Sequence, residues 1–117
     1  GMSLYPYWAM DGGFRDDAET TITDCIENIK HVGKKFGCDV MIVETGFLVD
    51  ESKPEVMEES RRQLARVIRE SIENTDGICK GVFYWEPECR PSQYKLGAFT
   101  EDGHPTVIMD AFKDWSE

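Results

Sequence analysis

The segment Asp39-Val40-Met41-Ile42-Val43-Glu44 sets four apolar residues in a row, closes on a carboxylate, and lies between two stretches of helical period. A short, unbroken apolar run reads as a strand buried on both faces, the habit of parallel sheets flanked by helices. Before it, Ile22, Cys25, Ile26, Ile29, Val32 and Phe36 recur at three- and four-residue steps from Asp16 to a stop at Gly37, which marks one face of a helix. After it, Leu64, Val67, Ile68 and Ile72 form a stripe within Val56 to Ile72, with arginines and glutamates opposite, as in an amphipathic helix. Parallel strands cannot be joined by a tight turn, and right-handed helical crossovers join them instead.

Two further strands complete the pattern. Met2 to Tyr5 is apolar and aromatic and is halted by Pro6, and Gly81-Val82-Phe83-Tyr84-Trp85 follows Gly77 and ends at Glu86-Pro87-Glu88; proline ends a strand because it removes a ladder donor. Asp11-Gly12-Gly13 is a turn, and Glu101-Asp102-Gly103 leads through Pro105 into a short last helix reaching Phe112 and Trp115. The order strand-helix, three times over, predicts an α/β chain of three parallel strands alternating with helices, organised as one domain over 1–117. Such a sheet has two unpaired edges, which invite pairing with another copy as a homo-oligomer. Burial in so few elements should only narrowly exceed chain entropy, so marginal folding as a monomer is expected.

Charge narrows the partners. With 23 acidic against 13 basic residues and a net charge of -10, the surface repels nucleic acid and anionic membranes. No apolar run approaches the roughly 20 residues needed to cross a bilayer, and Gly1 to Pro6 lacks the basic and apolar regions of a signal peptide. Cys25, Cys38, Cys79 and Cys89 include no C-x-x-C pair, so free, mostly packed thiols are expected rather than zinc or a disulfide framework. Asp50, Glu51, Glu55 and Asp102 carry oxygen ligands suited to calcium, but their spacing matches no compact calcium loop, and a solvated acidic surface with no cofactor is the expectation. His31, on a helix, and His104, in a turn, carry no assigned chemistry.

Glu44 is the sharpest chemical signal. A carboxylate directly after Val40 to Val43 is costly to bury unless it stands at the open, C-terminal edge of the sheet with partners around it; the plainer alternative is that it caps a loop or pairs with an arginine. Every strand ends in residues suited to carbohydrate: Tyr5, Tyr7 and Trp8 after the first, Glu44 after the second, Trp85 and Glu86 after the third. Aromatic faces pack on the C–H face of a sugar ring and carboxylates accept bonds from its hydroxyls. The competing assignment for the aromatics is core, and one of Phe83 and Tyr84 is expected there.

Three segments, Gly1-Met2-Ser3-Leu4-Tyr5-Pro6-Tyr7-Trp8, Val43-Glu44-Thr45-Gly46 and Gly81-Val82-Phe83-Tyr84-Trp85-Glu86-Pro87, resemble the sixth, seventh and eighth strand ends of the endo-β-1,4-galactanases of glycoside hydrolase family 53. The resemblance spans nearly the whole chain and implies part of a (β/α)₈ TIM barrel, whose full form takes about 250 residues. It further implies that Glu44 is the nucleophile of a retaining hydrolase and that Trp85 lies beneath the sugar beside the scissile bond; Tyr5, ahead of Tyr7, is the candidate to donate a hydrogen bond to Glu44 and hold it oriented. Tyr7, Trp8 and Glu86 become substrate-binding residues for a β-linked galactan or galacto-oligosaccharide. In that family the acid/base follows the fourth strand, to which nothing here corresponds, so the isolated chain is expected to be inactive; losing a general acid alone removes about 10²–10⁴-fold of rate. For a full-length parent the resemblance implies a secreted or periplasmic location. The alternative from another class is a non-catalytic carbohydrate-binding or assembly module with open sheet edges.

Overall fold

A computed structural model describes residues 1–7 and 17–116, so Trp8 and the turn at Asp11-Gly12-Gly13 lie outside the described residues. The elements run β1 (Met2–Leu4), α1 (Ala18–Phe36), β2 (Val40–Thr45), α2 (Pro54–Glu73) and β3 (Cys79–Val82), followed by a 3₁₀ turn (Val107–Asp110) that continues into α3 (Ala111–Asp114). The strands form one sheet in the order β1-β2-β3, and both pairings are parallel. This is the α/β alternation of parallel strands and crossover helices that the sequence predicts.

Local chemistry sets the helix limits. The Asp17 side chain accepts from Thr20 N–H at 3.0 Å, covering one of the free donors of the first turn of α1. At the other end Gly37 takes a left-handed conformation, φ 60°, with its N–H on Gly33 O, a geometry that lacks a steric penalty only for glycine. α2 begins with Pro54, whose missing donor costs nothing in a first turn. Gly33 serves packing instead: a Cβ there would lie 2.3 Å from Ile78 Cγ2, so the absent side chain lets α1 approach the lead-in to β3.

The core lies between the sheet and the helices. Ile22, Ile26 and Ile29 of α1 and Leu64, Val67 and Ile68 of α2 bury against Leu4, Val40 and Ile42, joined by Phe47, Ile108 and Ala111. Outside this layer, Glu19 of α1 faces Arg62, Arg66 and Gln63 of α2. Gln63 is buried, and its Nε2 donates to Glu19 at 2.7 Å and Glu59 at 2.8 Å. Arg61 Nη1 reaches both Asp114 oxygens at 3.2 Å and fastens α3 to α2. Ion pairs this exposed orient the helices more than they stabilise them.

Three expectations are corrected. β2 is buried on one face only: Val40 and Ile42 are covered, but Val43 is 40% exposed, because helices cover a single side of this sheet among the described residues. Where a strand at 81–85 is expected, the regular strand is Cys79–Val82, and its pairing with β2 is irregular between Val40 and Ile42. The ladder nevertheless continues, with Phe83 N–H on Ile42 O at 2.9 Å and Trp85 N–H on Thr45 O at 2.8 Å. Phe36 and Ile72, placed on apolar faces by their spacing, are 68% and 54% exposed, because each stands at the last turn of its helix, past the end of the layer it packs on. Of Phe83 and Tyr84, it is Tyr84 that turns toward the core.

Candidate functional site

Parallel strands deliver all their C-terminal ends to one edge of a sheet, and here that edge gathers Tyr5, Glu44 and Trp85. Ser3 is paired with Glu44 and Leu4 with Thr45, so Tyr5 emerges from β1 beside the end of β2. The Tyr5 hydroxyl donates to Glu44 Oε2 at 3.0 Å. Burial, and then this bond to a carboxylate, hold the Tyr5 phenol well above its ordinary range, because both favour the neutral, donating form. On the other side of β2, the Trp85–Thr45 backbone bond sets Trp85, 45% exposed, next to the same edge.

A cleft of about 230 Å³ opens there, lined by Tyr5, Trp85, Tyr94 and Leu96. Its far wall is the chain that returns from β3, and Tyr84 staples that wall in place. The Tyr84 hydroxyl accepts from Phe47 N–H at 2.9 Å and donates to Gly97 O at 2.6 Å, linking the loop after β2 to the returning chain. Val49 N–H on Lys95 O at 3.0 Å and Ala98 N–H on Pro87 O at 2.8 Å add two backbone ties. Gly46 allows the close approach, since a Cβ there would lie 2.7 Å from Leu96 O. Glu86 has φ 44°, a left-handed conformation uncommon outside glycine and found preferentially where a chain is bent for function.

The residues singled out in the sequence are thus divided. Tyr5, Glu44 and Trp85 come together. Glu86 is exposed at the end of this strand, close enough to Tyr94 to disfavour ionisation of its phenol. Tyr7 does not line the cleft; its ring packs edge-on against Phe47 at 6.0 Å, and burial, then Glu59, push its phenol upward. Trp8 lies outside the described residues. Tyr94 and Leu96 were not legible beforehand, because they fall in an aperiodic tail where nothing local distinguishes a cleft wall from a loop.

Among the described residues no three His, Cys, Asp or Glu side chains converge as a metal site. Asp50 is engaged with Ser52 and Lys53, Glu51 accepts from Glu101 N–H, and Asp102 faces Thr100 and His104. The cysteines are free: Cys38 is exposed and Cys25, Cys79 and Cys89 are half-buried, with burial, then Cys79, raising the Cys25 thiol to about 11. No helix is long and apolar enough to cross a membrane.

No protein-family model matches this chain, and no curated protein matches it. Among solved structures it is similar to a fungal β-1,4-galactanase, with a TM-score of 0.68 and 15% sequence identity. The match covers 96% of this chain but only 36% of the galactanase chain. At that identity the likeness is one of fold: three parallel strands and their helices arranged as in part of a galactanase.

Proposed function

We propose that this chain carries the nucleophile side of a retaining glycosidase site for β-1,4-linked galactan, with Glu44 as nucleophile and Trp85 and Tyr5 in contact with the sugar. The observation that carries this is the Tyr5–Glu44 hydrogen bond of 3.0 Å, made at the C-terminal edge of a parallel sheet beside an aromatic cleft. Barrel hydrolases keep their reactive groups at that edge.

In this proposal a Glu44 oxygen attacks the anomeric carbon, the bond from that carbon to the glycosidic oxygen breaks, and the departing oxygen takes a proton from a general acid. Water, deprotonated by the same group, then releases the sugar from the ester and regenerates the carboxylate. Tyr5 holds Glu44 in one orientation, as a supporting residue of a nucleophile should. No residue of this chain is assigned the acid/base role, so that group would come from outside residues 1–117, and this chain alone is expected to bind sugar without turning it over.

A second reading, a non-catalytic carbohydrate-binding or assembly module, is favoured by the uncovered face of the sheet. Val43 and Phe83 are 40% and 57% exposed there, and the outer edges of β1 and β3 pair with no further strand among the described residues. The test of the carbohydrate reading compares this chain with Glu44→Gln on β-1,4-galactan, following reducing ends beside a titration with galacto-oligosaccharides. Turnover abolished by the substitution would support Glu44 as nucleophile and require an acid/base within the chain. Binding without turnover, in both proteins, is the expected result; neither binding nor turnover would sink the carbohydrate reading.

A further inference from the structure

Tyr94 sits on the segment that the Tyr84 staple and the Val49–Lys95 bond press onto the strand ends. Its backbone N–H closes a turn on Arg90 O at 2.9 Å, and its ring shares the cleft with Tyr5, Trp85 and Leu96. Its hydroxyl lies within reach of that of Tyr5, across the cleft that both rings line, and Tyr5 is the phenol that donates to Glu44. It also lies within electrostatic reach of Glu86 and Glu44 together: burial first, and then both carboxylates, oppose ionisation of Tyr94, against a lowering contribution from Tyr5. One side chain outside the three strand ends therefore lines the cleft and lies within reach of the supporting phenol and of both carboxylates.

We propose that Tyr94 is a positioning and sugar-contacting residue of this site: its hydroxyl holds Tyr5 in the orientation that serves Glu44, and its ring forms, with Trp85 and Leu96, the apolar wall that receives one face of a pyranose. The inference rests on the carbohydrate reading above. A phenol whose hydroxyl is itself hydrogen-bonded donates more strongly and rotates less, so the Tyr94–Tyr5–Glu44 chain acts as one unit. The ring supplies what a second aromatic wall supplies in sugar sites, a flat apolar surface of low conformational entropy.

The test is calorimetric titration of the whole chain with β-1,4-galactotriose, in the wild type and in Tyr94→Ala, Tyr94→Phe, Tyr5→Phe and the double Tyr5→Phe/Tyr94→Phe variant. Tyr94→Ala should weaken binding about tenfold or more, through loss of the aromatic wall. Tyr94→Phe, which keeps the ring, should weaken it about threefold, as expected for one neutral hydrogen bond. Because the hydroxyl acts through Tyr5, the double variant should bind no worse than Tyr5→Phe alone, whereas a merely structural contribution would add. Tyr94→Ala binding within about twofold of wild type, or additive losses in the cycle, would overturn this inference while leaving the carbohydrate reading in place. Absence of binding by the wild type would remove both. Should Tyr94→Ala fail to fold, the phenylalanine cycle decides alone.

Discussion

Removing a single oxygen from Tyr84 tests whether the site is held by the staple described above. Tyr84→Phe keeps the ring, and with it the packing against Phe47 at a centroid distance of 6.5 Å, but deletes the partner of Phe47 N–H and of Gly97 O. Phe47 is fully buried and Gly97 is buried, so neither group regains a protein partner from among the bonds found there. An orphaned buried backbone group costs about 1–3 kcal/mol. Gly97 adjoins Leu96 at a cleft open to water, so its cost lies at the low end, and the pair should lose about 2–3 kcal/mol. For a domain of this size that corresponds to a fall in Tm of about 8–12 °C. Urea unfolding followed by circular dichroism should show the midpoint move with an unchanged slope, because the exposed area on unfolding is the same. A loss below about 0.5 kcal/mol would refute the staple, since it would mean that water or a relaxed loop satisfies both groups in its place.

Two further outcomes follow from the packing and the titration behaviour. Gly33→Ala should destabilise by about 1–2 kcal/mol despite the better helix former, because its Cβ would meet Ile78 Cγ2 at 2.3 Å, and in an Ile78→Ala background the same change should cost little; a neutral or stabilising Gly33→Ala in a thermal melt would contradict the close approach. All four tyrosines, Tyr5, Tyr7, Tyr84 and Tyr94, are held above their ordinary range, in each case chiefly by burial. Their contribution to stability is therefore complete below the unfolded value of about 10 and is lost as pH rises from there toward the folded values. Alkaline titration followed by phenolate absorbance should show ionisation delayed until the circular dichroism signal of the fold is lost; phenolates forming at ordinary pH in a folded chain would oppose it.

The alternation of apolar runs with amphipathic stretches determined the class of fold, because each element's period depends only on local spacing: Ile22, Ile26 and Ile29 must share a helix face, and Val40 and Ile42 must share a strand face, whatever surrounds them. Glu44 at the end of β2 and Tyr5 at the end of β1 could be named for the same reason, since a carboxylate after an apolar strand is visible without a partner in view. The exposure of Val43 was not, because whether the second face of a strand is covered depends on layers that no local period records. Nor was the irregular register within β3, where Cys79 pairs with Val40 but Val82 with Ile42, which is a property of the pairing rather than of either strand. Tyr94 and Leu96 reach the cleft only because Tyr84, Gly46 and Lys95 fold an aperiodic segment back across the strand ends. Sequence determined which side chains could do chemistry at the edge of the sheet; tertiary structure decided which of them meet, because contacts between segments distant in the chain are set by loop closure and packing, on which local spacing has no hold.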